Sequence, residues 1–260
     1  MPFTLAHAAA VLPFQRTRLI MSALVVGSFS PDFEYFLRFG PRGNFGHTFP
    51  GLFEFDLPVS LLVLWVYQAY ARDPILAWLP RGVRQRVPTC PTLSWKWNIR
   101  EMLLVVISVV IGAATHILWD SLTHRSFWPY QHWHFLSHAV QLPVIGPVQY
   151  YKTFQYLSTV AGLIALLIWF WHWYRHTAPI RSQKTEHANG DESKILIALC
   201  VATAVAALLR GFLGDGIPST QHQVEILLAD IASTAITVFW IGVVAYGVLR
   251  AQRRSRPEIV

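Results

Sequence analysis

With 260 residues, 53% of them hydrophobic and only 13% charged, the chain is too apolar for an ordinary soluble domain. Eleven tryptophans and a positive mean hydropathy point the same way, to a membrane protein. The formal charge of +7 is concentrated in short basic stretches suited to loops beside a membrane and not in a nucleic-acid surface, and Cys90 in a basic loop and Cys200 in an apolar run are ill placed for a disulfide.

Residues 1–51 are punctuated by Pro13, Pro31, Gly40, Pro41, Gly43 and Gly46, which predicts two short helices and a loop. The apolar run 19–29 is too short to span and reads as a buried helix or a re-entrant piece. No basic stretch precedes a long apolar run at the start, so no signal peptide is expected and Met1 or Pro2 should remain. Apolar segments at 52–70, 102–119, 154–174, 195–213 and 231–249 are each long enough to cross roughly 30 Å of hydrocarbon.

Between these spans, 73–98 is a Pro- and Arg-rich connection and 175–194 has the composition of a solvated linker. The expected organisation is a site-bearing domain at 1–174, a cytoplasmic linker at 175–194 and a two-helix tail at 195–260 with a basic end. Six Lys and Arg lie between 72 and 100, four between 175 and 194 and four between 250 and 256. The stretch 214–230 has none, so five alternating spans put the N-terminus outside and the C-terminus inside.

Seven of the eleven histidines fall in or beside three clusters. The densest is HILWDSLTH, where His116, Asp120 and His124 recur every four residues and so share one helix face. An ionisable side chain near the end of an apolar helix costs a few kcal/mol unless it is paired or hydrated, and a bound metal is one way to meet that cost. A His-Asp hydrogen bond capping the span is the other. His7, Asp32 and His47 lie upstream, and His134 and His138 downstream. Nitrogen and oxygen donors of this kind suit zinc, with manganese or iron as alternatives.

The segments MPFTLAHAAAVLP, ALVVGSFSPDFEYFL, GHTFPGLFEFDLPV and GAATHILWDSLTH resemble the family of bacterial membrane proteins called domain of unknown function 4184. That family is similar to LexA-regulated inner-membrane proteins regarded as metal-dependent hydrolases. More remotely it is similar to zinc-dependent phospholipase C and P1 nuclease, helical enzymes that hold up to three zinc ions. The resemblance implies an all-α polytopic protein whose metal-binding core is phospholipase C-like, with His7, Asp32, His47, His116, Asp120 and His124 as ligands and His134 with His138 as the closing pair. Three features depart from the soluble enzymes: the Met-Pro start, His138 where they have a glutamate, and the long spans between His47 and His116.

What the resemblance implies is one to three zinc ions, hydrolysis of a phosphoester or a lipid-linked phosphodiester, and a place in the bacterial inner membrane. Asp120 would bridge two ions, and Asp32 would bind metal or act as general base. Glu34 is a second acid or base, in the context of a helix start. Arg42 and Arg125 are cations able to engage a phosphate, and Trp119 belongs to an aromatic belt through which a lipid substrate could reach the metals. The orientation from basic residues puts these groups on the extracytoplasmic face. A metal or proton transporter, and a scaffold in which metal staples the N-terminal segment, are the alternatives. Glu54 and Asp56, at the start of the first span, are candidates to orient a histidine ligand.

Overall fold

The computed structural model describes residues 3–87, 98–142, 146–180, 190–213 and 218–254. Cys90 and the middle of the expected linker, 181–189, lie outside them. Among the described residues five helices, Phe49–Trp78, Ile99–His132, Tyr150–His176, Glu192–Phe212 and Gln223–Arg254, are long and apolar enough to cross a membrane. Only 6% of the most apolar stretch of Tyr150–His176 is buried within the protein, so its hydrocarbon faces outward as lipid contact requires.

The described residues are mostly helical, and among them a short hairpin departs from the all-α expectation. Strands β1 (Ala139–Leu142) and β2 (Gly146–Gln149) form an antiparallel hairpin in which Val140 pairs with Val148 and Gln141 with Pro147. Four-residue strands are too short for an alternating pattern to stand out, and Pro147 obscures what there is.

Contacts divide the chain into two compact units that interleave along the sequence, whereas the expected domains follow one another. The first comprises 1–33, 44–61 and 97–176. Its centre is the helix Met21–Phe29, the expected buried piece, packed against Ile99–Thr123. Gly27 and Gly112 permit this. A Cβ at Gly27 would stand 2.3 Å from the Val109 carbonyl oxygen, and one at Gly112 would stand 2.2 Å from that of Leu24. Close backbone approach through small residues is how apolar helices associate where lipid competes with side chains. Ala23, Leu24, Val105, Val109 and Ala113 fill the seam, and Ser108 Oγ accepts a 2.9 Å hydrogen bond from the Ile20 amide.

The N-terminal segment, a 3-10 turn at Thr4–His7 continued by Ala8–Val11, lies along Tyr150–His176. The Phe3 amide donates to Thr159 Oγ1 at 3.1 Å, and Trp169 Nε1 donates to Gln15 Oε1 at 2.8 Å. These bonds fix the segment that carries His7.

The second unit comprises 34–43, 62–96 and 177–260. Within it Arg210 pairs with Asp230 at 3.0 Å, Trp78 stacks on Tyr246, and Thr237 Oγ1 donates to the carbonyl of Phe36.

Candidate metal centre

Four separate pieces of the first unit deliver the site. His7 ends the turn Thr4–His7 and Asp32 ends the turn Ser30–Asp32, where Pro31 favours a helical start. His47 precedes Thr48, whose hydroxyl caps the helix from Phe49 by accepting from the Gly51 amide at 3.0 Å. His116 and Asp120 lie one turn apart on Ile99–Thr123, and His124 follows at its end. His7, Asp32, His47, His116 and Asp120 are all buried, His116 and Asp120 completely.

Their donor atoms converge. His7 Nε2 is 3.5 Å from Asp120 Oδ1, while His116 Nε2 and His47 Nε2 are 3.4 and 3.5 Å from Asp120 Oδ2. Asp32 Oδ1 is 3.6 Å from both His47 Nε2 and His116 Nε2. Charge-assisted hydrogen bonds close to about 2.7–2.9 Å, and none of these separations does. Ligands about 2.1 Å from a tetrahedral ion stand about 3.4 Å from one another, which is the spacing found. His7 Nε2, Asp32 Oδ1, His116 Nε2 and Asp120 Oδ2 are buried and make no hydrogen bond. Left so, two carboxylates and the imidazole nitrogens would carry a desolvation cost that a cation offsets. The residues therefore fit a metal ion, in two overlapping groups: His7, His116 and Asp120, and Asp32, His47 and His116.

Hydrogen bonds behind the donors fix which atoms face inward. His116 Nδ1 donates to the Ser28 carbonyl at 2.7 Å, so its Nε2 carries the lone pair. Thr4 Oγ1 donates to Asp32 Oδ2 at 2.6 Å and leaves Oδ1 for the centre. Burial first, and then the adjacent His116 ring, hold the His7 pKa down to about 3, so His7 is neutral and able to bind metal at neutral pH. Burial pushes the Asp32 carboxyl up from its ordinary range, a penalty that a bound cation removes. His116 Nε2 has one lone pair and can serve one ion, whereas Asp120 turns Oδ1 to His7 and Oδ2 to the other histidines and can serve two.

The remaining sequence candidates are not members of the two ligand groups. The helix ends at Thr123, and part-exposed His124 keeps its ring beside Asp120: Nδ1 is 3.5 Å from Asp120 Oδ2 and donates to the Asp120 carbonyl at 3.0 Å, and Nε2 is the nitrogen left to it. His134 begins a 3-10 turn and His138 follows it in extended backbone; both are exposed, and helical HxxxH geometry is not formed. Glu34 belongs to the second unit, where it pairs with Arg38 at 2.9 Å, and Arg42 of that unit is exposed. Arg125 is exposed and held by Gln149 Oε1 and the Tyr151 ring. Trp119, part exposed, lines a cavity with His7. Glu54 is exposed, while Asp56 is fully buried and its Oδ1 would stand 3.0 Å from a Cβ at Gly46, beside the backbone that carries His47. Sequence reasoning missed Thr4 and Ser28. Thr4 precedes His7 by one 3-10 turn, a spacing that could have flagged it, but Ser28 acts through its backbone carbonyl and leaves no side-chain signal.

Residues 1–248, nearly the whole chain, match the family described as Domain of unknown function (DUF4184). The chain belongs to that family. Every group in the buried cluster lies inside the matched DUF4184 region. No curated protein and no solved structure matches the chain.

Proposed function

We propose that the protein is a membrane-bound, metal-dependent hydrolase of a phosphoester, with a lipid-linked phosphodiester as the preferred class of substrate and no role for nucleic acid. The observation that carries this reading is the convergence of buried His and Asp ligand atoms at ligand spacing, with His7 Nε2, Asp32 Oδ1, His116 Nε2 and Asp120 Oδ2 making no hydrogen bond. Zinc is the metal proposed, as one to three ions, with manganese or iron as alternatives. When bound, such ions supply an acidified water and neutralise charge on a phosphoryl oxygen. The resemblance to phospholipase C and P1 nuclease noted in the sequence supports the same chemistry.

His7, His116 and His47 would hold the metal with Asp120, whose two oxygens face different histidines. Asp32 is proposed to bind the metal through Oδ1 or to act there as general base, because Thr4 occupies Oδ2. Glu34 remains the alternative acid or base. Placement in the bacterial inner membrane with the site on the extracytoplasmic face follows from the family resemblance and the distribution of basic residues. The test is hydrolysis of phosphodiesters by purified protein in lipid. Turnover that stops with chelator, returns with zinc and falls in Asp32→Asn supports the reading, and cation flux across proteoliposomes without hydrolysis contradicts it.

A further inference from the structure

Beside the cluster lies a cavity of about 140 Å³ lined by Ala6, His7, Ala9, Ala10 and Trp119. Four of its five walls are apolar. The fifth, His7, presents Nε2 to Asp120 and so belongs to the metal centre as well. Trp119 stands next to Asp120 on Ile99–Thr123, a helix that belongs to one of the five candidate spans. The cavity therefore abuts the centre on a membrane-length helix, and Leu5, Leu118 and Trp119, neighbours in sequence of the groups that line it or belong to it, are exposed.

We propose that this slot holds the hydrocarbon tail of the substrate, making the enzyme selective for phosphoesters that carry an alkyl or prenyl chain. The proposal rests on the phosphoester reading of the centre. Charge and polarity choose the occupant: metal-bound His and Asp favour an anionic head, while a pocket with one polar group among alanines and an indole offers water too few partners to be held well. Size limits it further. Pockets that bury a whole drug-sized ligand run to about 300–1,000 Å³, so this one takes one tail segment and leaves any second chain in the bilayer. Ala6, Ala9 and Ala10 keep the slot open, where leucine or phenylalanine would fill it.

The experiment uses the full-length, zinc-loaded protein in phosphatidylcholine nanodiscs doped with a lysophosphatidylcholine that bears a photoreactive diazirine near its tail end. Cross-linked peptides are mapped by mass spectrometry, and hydrolysis of the same probe is followed separately. Labelling should concentrate on residues 5–10 and 117–119. It should fall about tenfold in Ala9→Phe and in Ala10→Phe, the size expected when a bound chain loses about 1.4 kcal/mol. Neither alanine is a candidate ligand and Ala10 is exposed, so zinc content and labelling of Tyr150–His176 serve as controls that should stay unchanged. Equal labelling of wild type and both filled variants overturns the slot. Hydrolysis that ignores the filling also overturns it while leaving the hydrolase standing, and slot-specific labelling without hydrolysis upholds the tail site and removes the hydrolase.

Discussion

Replacing Thr4 with valine removes one hydroxyl of nearly constant volume, and its effect follows from a single bond. Thr4 Oγ1 donates to Asp32 Oδ2 at 2.6 Å, and this holds Oδ1 toward His47 and His116. The backbone around Thr4 is tied down independently by the Phe3 amide on Thr159, so the loss should stay local. A hydrogen bond to a charged group contributes about 1.5–3 kcal/mol. If Asp32 reaches the metal through Oδ1, most of that energy appears as weaker binding, about 10- to 100-fold in metal affinity, which is the usual cost of losing a supporting partner. Competition with a chromophoric zinc chelator measures it. Thr4→Ser, which keeps the hydroxyl, should restore most of the affinity. A Thr4→Val protein that binds zinc as tightly as wild type would refute Asp32 as a ligand oriented by this bond.

Other predictions follow from the same geometry. His134→Ala and His138→Ala should leave metal content unchanged in elemental analysis, since both rings are exposed and outside the converging group. His124→Ala should reduce zinc affinity less than His116→Ala in the same chelator competition, because the His124 ring is part exposed whereas His116 is fully buried and its Nε2 faces the centre without a hydrogen bond. Gly112→Ala should lower the thermal midpoint in lipid, since its Cβ would meet the Leu24 carbonyl oxygen at 2.2 Å and overpacking costs about 1–3 kcal/mol. An unchanged midpoint would mean that the two helices separate at little cost.

The spans were legible because hydropathy dominates a membrane-length helix. Their ends were less so, since the helices run on past the apolar zone: the expected span 231–249 sits inside Gln221–Arg254, and 52–70 inside the longer helix Phe49–Trp78. The latter has a π-helical stretch at Leu52–Asp56, where Pro58 cannot donate to the Glu54 carbonyl. In the site, the pair His116 and Asp120 was readable because helical spacing carried it. His7, Asp32 and His47 come from turns, and only the fold shows that they meet. The closing pair that the resemblance implies, His134 and His138, lies in 3-10 and extended backbone, where four residues do not make a helical turn.

Metal content of the purified protein, by elemental analysis with Asp120→Ala beside wild type, tests the central claim most directly. The account predicts about one to three equivalents of zinc or a similar transition metal in wild type, and near-complete loss in the variant, whose missing carboxylate faces His7, His47 and His116. A wild-type protein that holds no metal after zinc loading, or an Asp120→Ala protein that keeps its full complement, would contradict it.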